Sequence, residues 1–151
     1  MKILKLAILF ILLISNFAFA NNKEDETKKS FFDFQTYYLS ELSNNRKSLD
    51  LPDIYSNCQY PFTWEEIKED NDIIMFFESK KLAKSLNKDA KSYFKLIQTE
   101  TGEAALEEWF MAVLEGNPMK KLPKPFHKID AENFAYIFST GMIYEMLCES
   151  Q

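Results

Sequence analysis

Reactive side chains are scarce in this chain. It holds a single histidine, His127, in the run Pro125-Phe126-His127-Lys128. Metal sites built on several imidazoles, H-E-x-x-H proteases and zinc-finger pairings are therefore excluded. A Ser–His–Asp or Cys–His system would have to rest on His127, while both cysteines, Cys58 and Cys148, are expected to be joined in one disulfide. Asp70-Asn71-Asp72 alternates carboxylate and amide oxygens, but the later glycine and distal glutamate of an EF-hand calcium loop are missing. That triplet reads as a helix cap or a solvated turn. No catalytic, cofactor-binding or metal-ligating residue emerges, and the leading expectation is a protein that is not an enzyme.

One enzymatic alternative has its ingredients. Glu65 and Glu66 stand beside Trp64, and Glu107 and Glu108 beside Trp109. Two carboxyls across a cleft, one kept protonated by apolar surroundings, would suit hydrolysis of a cell-wall glycan. The plainer reading of the same residues is acid on the surface of helices.

The layout of charge is more informative. Lys80, Lys81, Lys84, Lys88, Lys91 and Lys95 crowd between Ser79 and Thr99, with Asp89 the sole acid among them. Steps of four, four, three and four place Lys80, Lys84, Lys88, Lys91 and Lys95 on one stripe if a helix runs through. Glu65, Glu66, Glu69, Asp70, Asp72 and Glu78 precede this block, and Glu100, Glu103, Glu107, Glu108 and Glu115 follow it. Like charges at i, i+4, such as Glu103 and Glu107, repel by about a few tenths of a kcal/mol, so helix stability does not account for them. Either the blocks pair across neighbouring helices, or they form patches that steer a charged protein partner. Tyr55 and Tyr60, beside Cys58, are candidate aromatic anchors for such an interface.

The elements that carry these groups read as helices. Ser30 is a candidate N-cap ahead of Phe31, Phe34, Tyr38 and Leu42, whose spacing is helical, and Asn44-Asn45 is the expected stop. Pro52 and Pro61 bracket a loop around Cys58. Thr63 to Glu66 forms a capping box before Trp64 and Ile67. Ile73, Ile74, Phe76, Phe77, Leu82 and Leu86 follow, with a break expected at Asn87 to Asp89 and a short helix over Tyr93, Phe94 and Ile97. Thr101-Gly102 precedes a helix turning Leu106, Trp109, Phe110, Val113 and Leu114 inward, ended by Gly116 and Pro118. A proline-rich loop spans Met119 to His127. Asp130 caps the last helix, which carries Phe134, Ile137, Phe138, Tyr144, Met146 and Leu147, with Gly141 marking a close helix–helix approach. No long stretch alternates with period two. The expectation is an all-α, single-domain bundle of five or six helices.

The start of the chain supplies an address. Lys2 and Lys5 lead an apolar run from Ile3 to Ile14, and Ala18-Phe19-Ala20 closes it, the pattern of a secretory signal peptide. The expected organisation is a signal peptide over 1–20, a flexible polar leader over 21–29 and a helical domain over 30–151. Export to the periplasm is expected first and secretion beyond the cell second. An oxidising compartment agrees with the paired cysteines. Asn21 is not a cysteine, so no lipid anchor is expected, and no later apolar run is long enough to span a membrane. The formal net charge is −5, and it becomes two units more negative once Lys2 and Lys5 are removed. Such a balance disfavours nucleic acid or an anionic membrane surface and suits a basic partner.

Export, two cysteines and a small acidic helical body together resemble the format of bacterial periplasmic immunity proteins, which neutralise toxins delivered by contact-dependent or type VI systems. The resemblance implies a binding protein that inhibits a basic toxin or enzyme by covering its active site with acids. It carries over no individual residue. From the residues themselves, the candidate partner-binding set is Glu65, Glu66, Glu69, Asp70, Asp72, Glu103, Glu107, Glu108, Tyr55 and Tyr60. A second reading is a carrier whose aromatics line a cavity for a small apolar ligand; of the 14 Phe, Phe10, Phe17 and Phe19 leave with the signal peptide, so the stock is the remaining Phe, 7 Tyr and 2 Trp.

Overall fold

Short polar side chains placed just ahead of apolar runs set where the helices begin. In the computed structural model, which describes residues 2–116 and 121–149 with side chains from Asn22 onward, six α-helices follow one another. They are α1 (Lys2–Ser48), α2 (Trp64–Ile67), α3 (Asn71–Ile74), α4 (Lys80–Ile97), α5 (Glu100–Leu114) and α6 (Ala131–Cys148). A single 3-10 turn at Phe126–Lys128 leads into α6. Among the described residues there is no strand, so the fold is all-α, as the periodicity requires.

The caps follow the side-chain chemistry. The Glu66 carboxylate accepts from Thr63 N–H at 2.7 Å, the reciprocal half of a capping box. Asp70 accepts from the N–H groups of Asp72 and Ile73 at 3.0 and 3.2 Å. Ser79 accepts from Leu82 N–H, Thr99 from Gly102 N–H, and Asp130 from the N–H groups of Glu132 and Asn133. Each satisfies donors that the first helical turn leaves open. Gly116, at φ 74°, takes the left-handed position after α5; Pro118 and Met119, expected in the following loop, lie outside the described residues.

Several boundaries differ from those expected. Ser30 caps nothing, because α1 passes straight through it and through Asn44-Asn45. Residues 22–29, expected as a polar leader, are helical. Polar contacts replace the missing apolar ones there: Trp64 Nε1 donates to Glu24 Oε1 at 3.1 Å, Lys80 pairs with Glu26 at 3.2 Å, and Thr27 is buried. The apolar segment with its expected cleavage after Ala20 falls where side chains lie outside the described residues. The break at Asn87 to Asp89 does not occur. Asp89 instead turns its carboxylate inward, where Oδ2 accepts from Asp130 N–H at 3.1 Å and Asn133 Nδ2 at 2.9 Å. A residue type that often caps its own helix here serves the N-terminus of α6. Helix α5 begins at Glu100, earlier than Thr101-Gly102 suggests. Val113 and Leu114 are exposed, against the inward positions assigned to them.

The core is an aromatic seam. Phe31, Phe34 and Tyr38 descend one face of α1 and are fully buried. Phe31 meets Tyr60 at 5.2 Å and Phe77 at 5.3 Å, and Tyr38 meets Phe94 at 4.8 Å. On the other side of the bundle Phe134 of α6 meets Tyr93 of α4 at 5.8 Å and Trp109 of α5 at 4.9 Å. Edge-to-face pairs of this kind add about 0.5–1.5 kcal/mol each beyond their buried area.

Helix α6 is fastened to α1 at both levels. Tyr38 Oη donates to the Ile137 carbonyl at 2.5 Å. A Cβ on Gly141 would stand 2.8 Å from that same hydroxyl, which is the close approach that the glycine predicts. Cys148 closes α6 onto the loop after α1 through its disulfide with Cys58, across 90 residues of chain. That loop is folded back by Asp53, which accepts from Ser43 Oγ at 2.6 Å and from the N–H groups of Tyr55 and Ser56, and pairs with Lys47 at 3.3 Å. Chiefly the Ser43 hydroxyl holds this carboxyl below the usual range.

Two outcomes follow for stability. Reducing the disulfide, or replacing Cys58 and Cys148 by Ser, lowers the unfolding free energy by about 4–5 kcal/mol in the chain-entropy account, read from urea titrations with and without reductant. Gly141→Ala gains roughly 1 kcal/mol of helix propensity but crowds Tyr38 at a cost of about 1–3 kcal/mol. It therefore destabilises the wild type and stabilises a Tyr38→Phe background; equal effects in both backgrounds would remove the close approach as its cause.

Candidate functional site: an apolar groove with an acidic rim

Three elements converge to leave one side of α6 uncovered. The short helix α3 and the turn after it present Ile73, Met75 and Phe76. Tyr60 arrives from the disulfide loop, and α6 contributes Ala135, Tyr136, Ser139, Thr140 and Ile143. Between them lies a groove of about 430 Å³ that opens to solvent. Its walls are chiefly carbon, and Phe76 stacks on Tyr136 at 4.5 Å to form one side. Asp72 and Glu132 line it from opposite elements, both exposed.

The floor is built from tyrosines held by one buried amide. Gln35 of α1 donates through Nε2 to Tyr136 Oη at 3.2 Å, and its Oε1 accepts from Tyr144 Oη at 2.8 Å. Burial pushes the Tyr60 phenol up to about 12, with the nearby Asp70 carboxylate adding to the shift. Burial raises Tyr136 further, and Tyr60 and Asp70 add to it. Both hydroxyls therefore stay neutral at any physiological pH, and the formal charge at this site resides on the carboxylates.

The structure gathers only part of the candidate set. Tyr60 and Asp72 line the groove, and Asp70 lies close enough for its charge to bear on Tyr60 and Tyr136. Tyr55 is not an exposed anchor. It is buried, at 6% exposure, against the C-terminal half of α1, with Arg46 5.9 Å above its ring. Glu65 pairs with Lys68 at 2.5 Å, and Glu66 is taken up by its cap, which holds its carboxyl low. Glu69 lines a separate, more polar hollow with Lys23, Glu24, Lys68 and Glu78.

Glu103, Glu107 and Glu108 belong to the other side of the molecule. Their helix meets α6 through Trp109, whose ring lies 4.9 Å from both Phe134 and Phe138. At 100° per residue that face of α6 is turned roughly 150° from the groove. None of Glu65, Glu66, Glu107 and Glu108 lines the groove. Among the described residues no group of three or more His, Cys, Asp and Glu is placed to hold a metal ion.

Glu132, Phe76 and Tyr136 were not singled out from sequence. The available signal was a second face on α6, where Glu132, Ala135, Ser139 and Ile143 recur at helical spacing with small or polar side chains. Against family models, curated proteins and solved structures, the chain finds no match in any of the three.

Replacing Gln35 with Ala removes the shared partner of Tyr136 and Tyr144. The expected result is a loss of about 1–3 kcal/mol, since the buried Tyr144 hydroxyl loses its partner and the half-buried Tyr136 hydroxyl loses one of its own. Gln35→Glu at low pH, where the acid is protonated, restores both bonds, and thermal melting as a function of pH reports the recovery.

Proposed function

We propose that the chain is a small exported binding protein that inhibits another protein, in the manner of a periplasmic immunity protein. The α3–α6 groove would receive a basic segment of the partner, seating an apolar side chain against Phe76 and Tyr136. Asp72 and Glu132 would meet the flanking positive charge. Covering the partner's active site by this body is the inhibitory step, and no reacting group is needed. The observation that carries the reading is an apolar groove whose rim is acidic on both sides, on a body made rigid by a disulfide. Rigidity matters because a preorganised surface loses less conformational freedom on binding. Charge at the rim accelerates encounter with a basic partner and selects against acidic ones.

A second reading has its own support. The groove volume of about 430 Å³ suits a small apolar molecule, because ligand pockets run from roughly 300 to 1,000 Å³. Native mass spectrometry of freshly purified protein separates the two: a retained apolar molecule favours the carrier.

The inhibitor reading is tested with the product of the adjoining reading frame, purified and titrated by calorimetry. The expected result is a 1:1 complex whose association rate falls about tenfold in the Asp72→Asn, Glu132→Gln double variant, with a parallel loss at high salt. Affinity indifferent to both salt and these substitutions would sink the reading.

A further inference from the structure

Helix α4 runs unbroken from Lys80 to Ile97, so its lysines share one line. At 100° per residue Lys80, Lys84, Lys88, Lys91 and Lys95 fall within an arc of roughly 80°, and they span about 22 Å along the axis. All five are exposed, as is Lys81 at the edge of the stripe. Ala83, Leu86, Ala90, Tyr93 and Phe94 are buried on the opposite side, against the bundle.

These charges are not neutralised by the fold. Among the described residues one of the five, Lys80, makes an ion pair, with Glu26 at 3.2 Å. Asp89, the one acid on α4, points inward to Asn133 and Asp130 N–H. A solvated helix face ordinarily alternates acids and bases at i, i+4, which stabilises it, whereas these neighbours repel. Lys80 and Lys81 also sit in the first turn, where positive charge opposes the helix dipole. The stripe exists against the stability of its own helix.

We propose that the lysine stripe of α4 docks the protein on a lipid bilayer carrying anionic headgroups. The shape of the stripe argues for a plane. A straight line of flexible ammonium groups meets a flat field of phosphates with all five charges at once. No arginine stands in the stripe to bind one phosphate or carboxylate by two parallel hydrogen bonds. No aromatic ring stands in it to stack on unpaired bases. The net charge of −5 repels the rest of the body from such a surface, which fixes the orientation. The groove lies on a different face of α6 from the one that packs on α4, so a docked molecule leaves it open to solvent.

The test uses the full chain and sedimentation with vesicles of phosphatidylcholine alone or with about 30% phosphatidylglycerol, at low and high salt. The comparison variant carries Lys84→Gln, Lys88→Gln, Lys91→Gln and Lys95→Gln, four exposed positions outside every ion pair of the described residues; matching melting curves confirm its fold. The apolar N-terminal segment is common to both proteins, so their difference isolates the stripe. At low salt the wild type partitions onto anionic vesicles at least tenfold more strongly than onto neutral ones. The variant loses that preference, and high salt abolishes it. Equal partitioning onto both vesicle types, or an undiminished preference in the variant, overturns the proposal. So does binding to soluble polyphosphate or polyglutamate without binding to vesicles. The variant keeps its groove, so failure here leaves the inhibitor reading to its own test.

Discussion

The seating of α6 on α1 is the constraint from which the other features descend. Gly141 lets the Tyr38 ring come close enough for its hydroxyl to reach the Ile137 carbonyl. One helical turn earlier on α1, Gln35 holds Tyr136 and Tyr144 together. With those rings fixed, α6 has one face against α4 and α5 through Phe134 and another turned toward α3. Cys148 then locks its last residue to the loop that brings Tyr60. The groove is what remains on the side that α3, only four residues long, cannot cover.

Charge is distributed with equal consequence. The acids and lysines do not cancel across the bundle, since the ion pairs among the described residues are four and only two of them, Lys68–Glu24 and Lys80–Glu26, join α1 to the α2 and α4 ends. Exposed ion pairs of this kind contribute about 0–1 kcal/mol each and could not organise the fold. Aromatic packing does that. The surface charge is thereby free to differ from one face to the next, acidic at the groove and basic along α4.

Much of the architecture was legible in local sequence. Phe31, Phe34 and Tyr38 fall on one face because helical spacing is a property of the chain alone. Asp70, Asp130 and the Thr63–Glu66 box cap helices because their bonds span two or three residues. Gly116 takes the left-handed conformation that a glycine tolerates best. The failures lie where a polar group answers to something distant. Residues 22–29 have no apolar face and look unstructured, yet Glu24 and Glu26 are held by Trp64 and Lys80. Asp89 looks like a helix break but serves the start of α6, 41 residues further on.

The same division separates what this sequence determined from what the tertiary structure decided. Helix type, the caps, the aromatic stock of the core and the lysine spacing of α4 are encoded over a few residues, where propensity and periodicity act. The candidate site was only half visible. Tyr60, Asp70 and Asp72 were among the marked residues, but Glu132, Phe76 and Tyr136 joined them only through the packing of α6. Tyr55 was removed to the interior, and the acids of α5 were sent to another face. A charge in sequence has a sign but no direction; the angle at which each helix meets its neighbours supplies it.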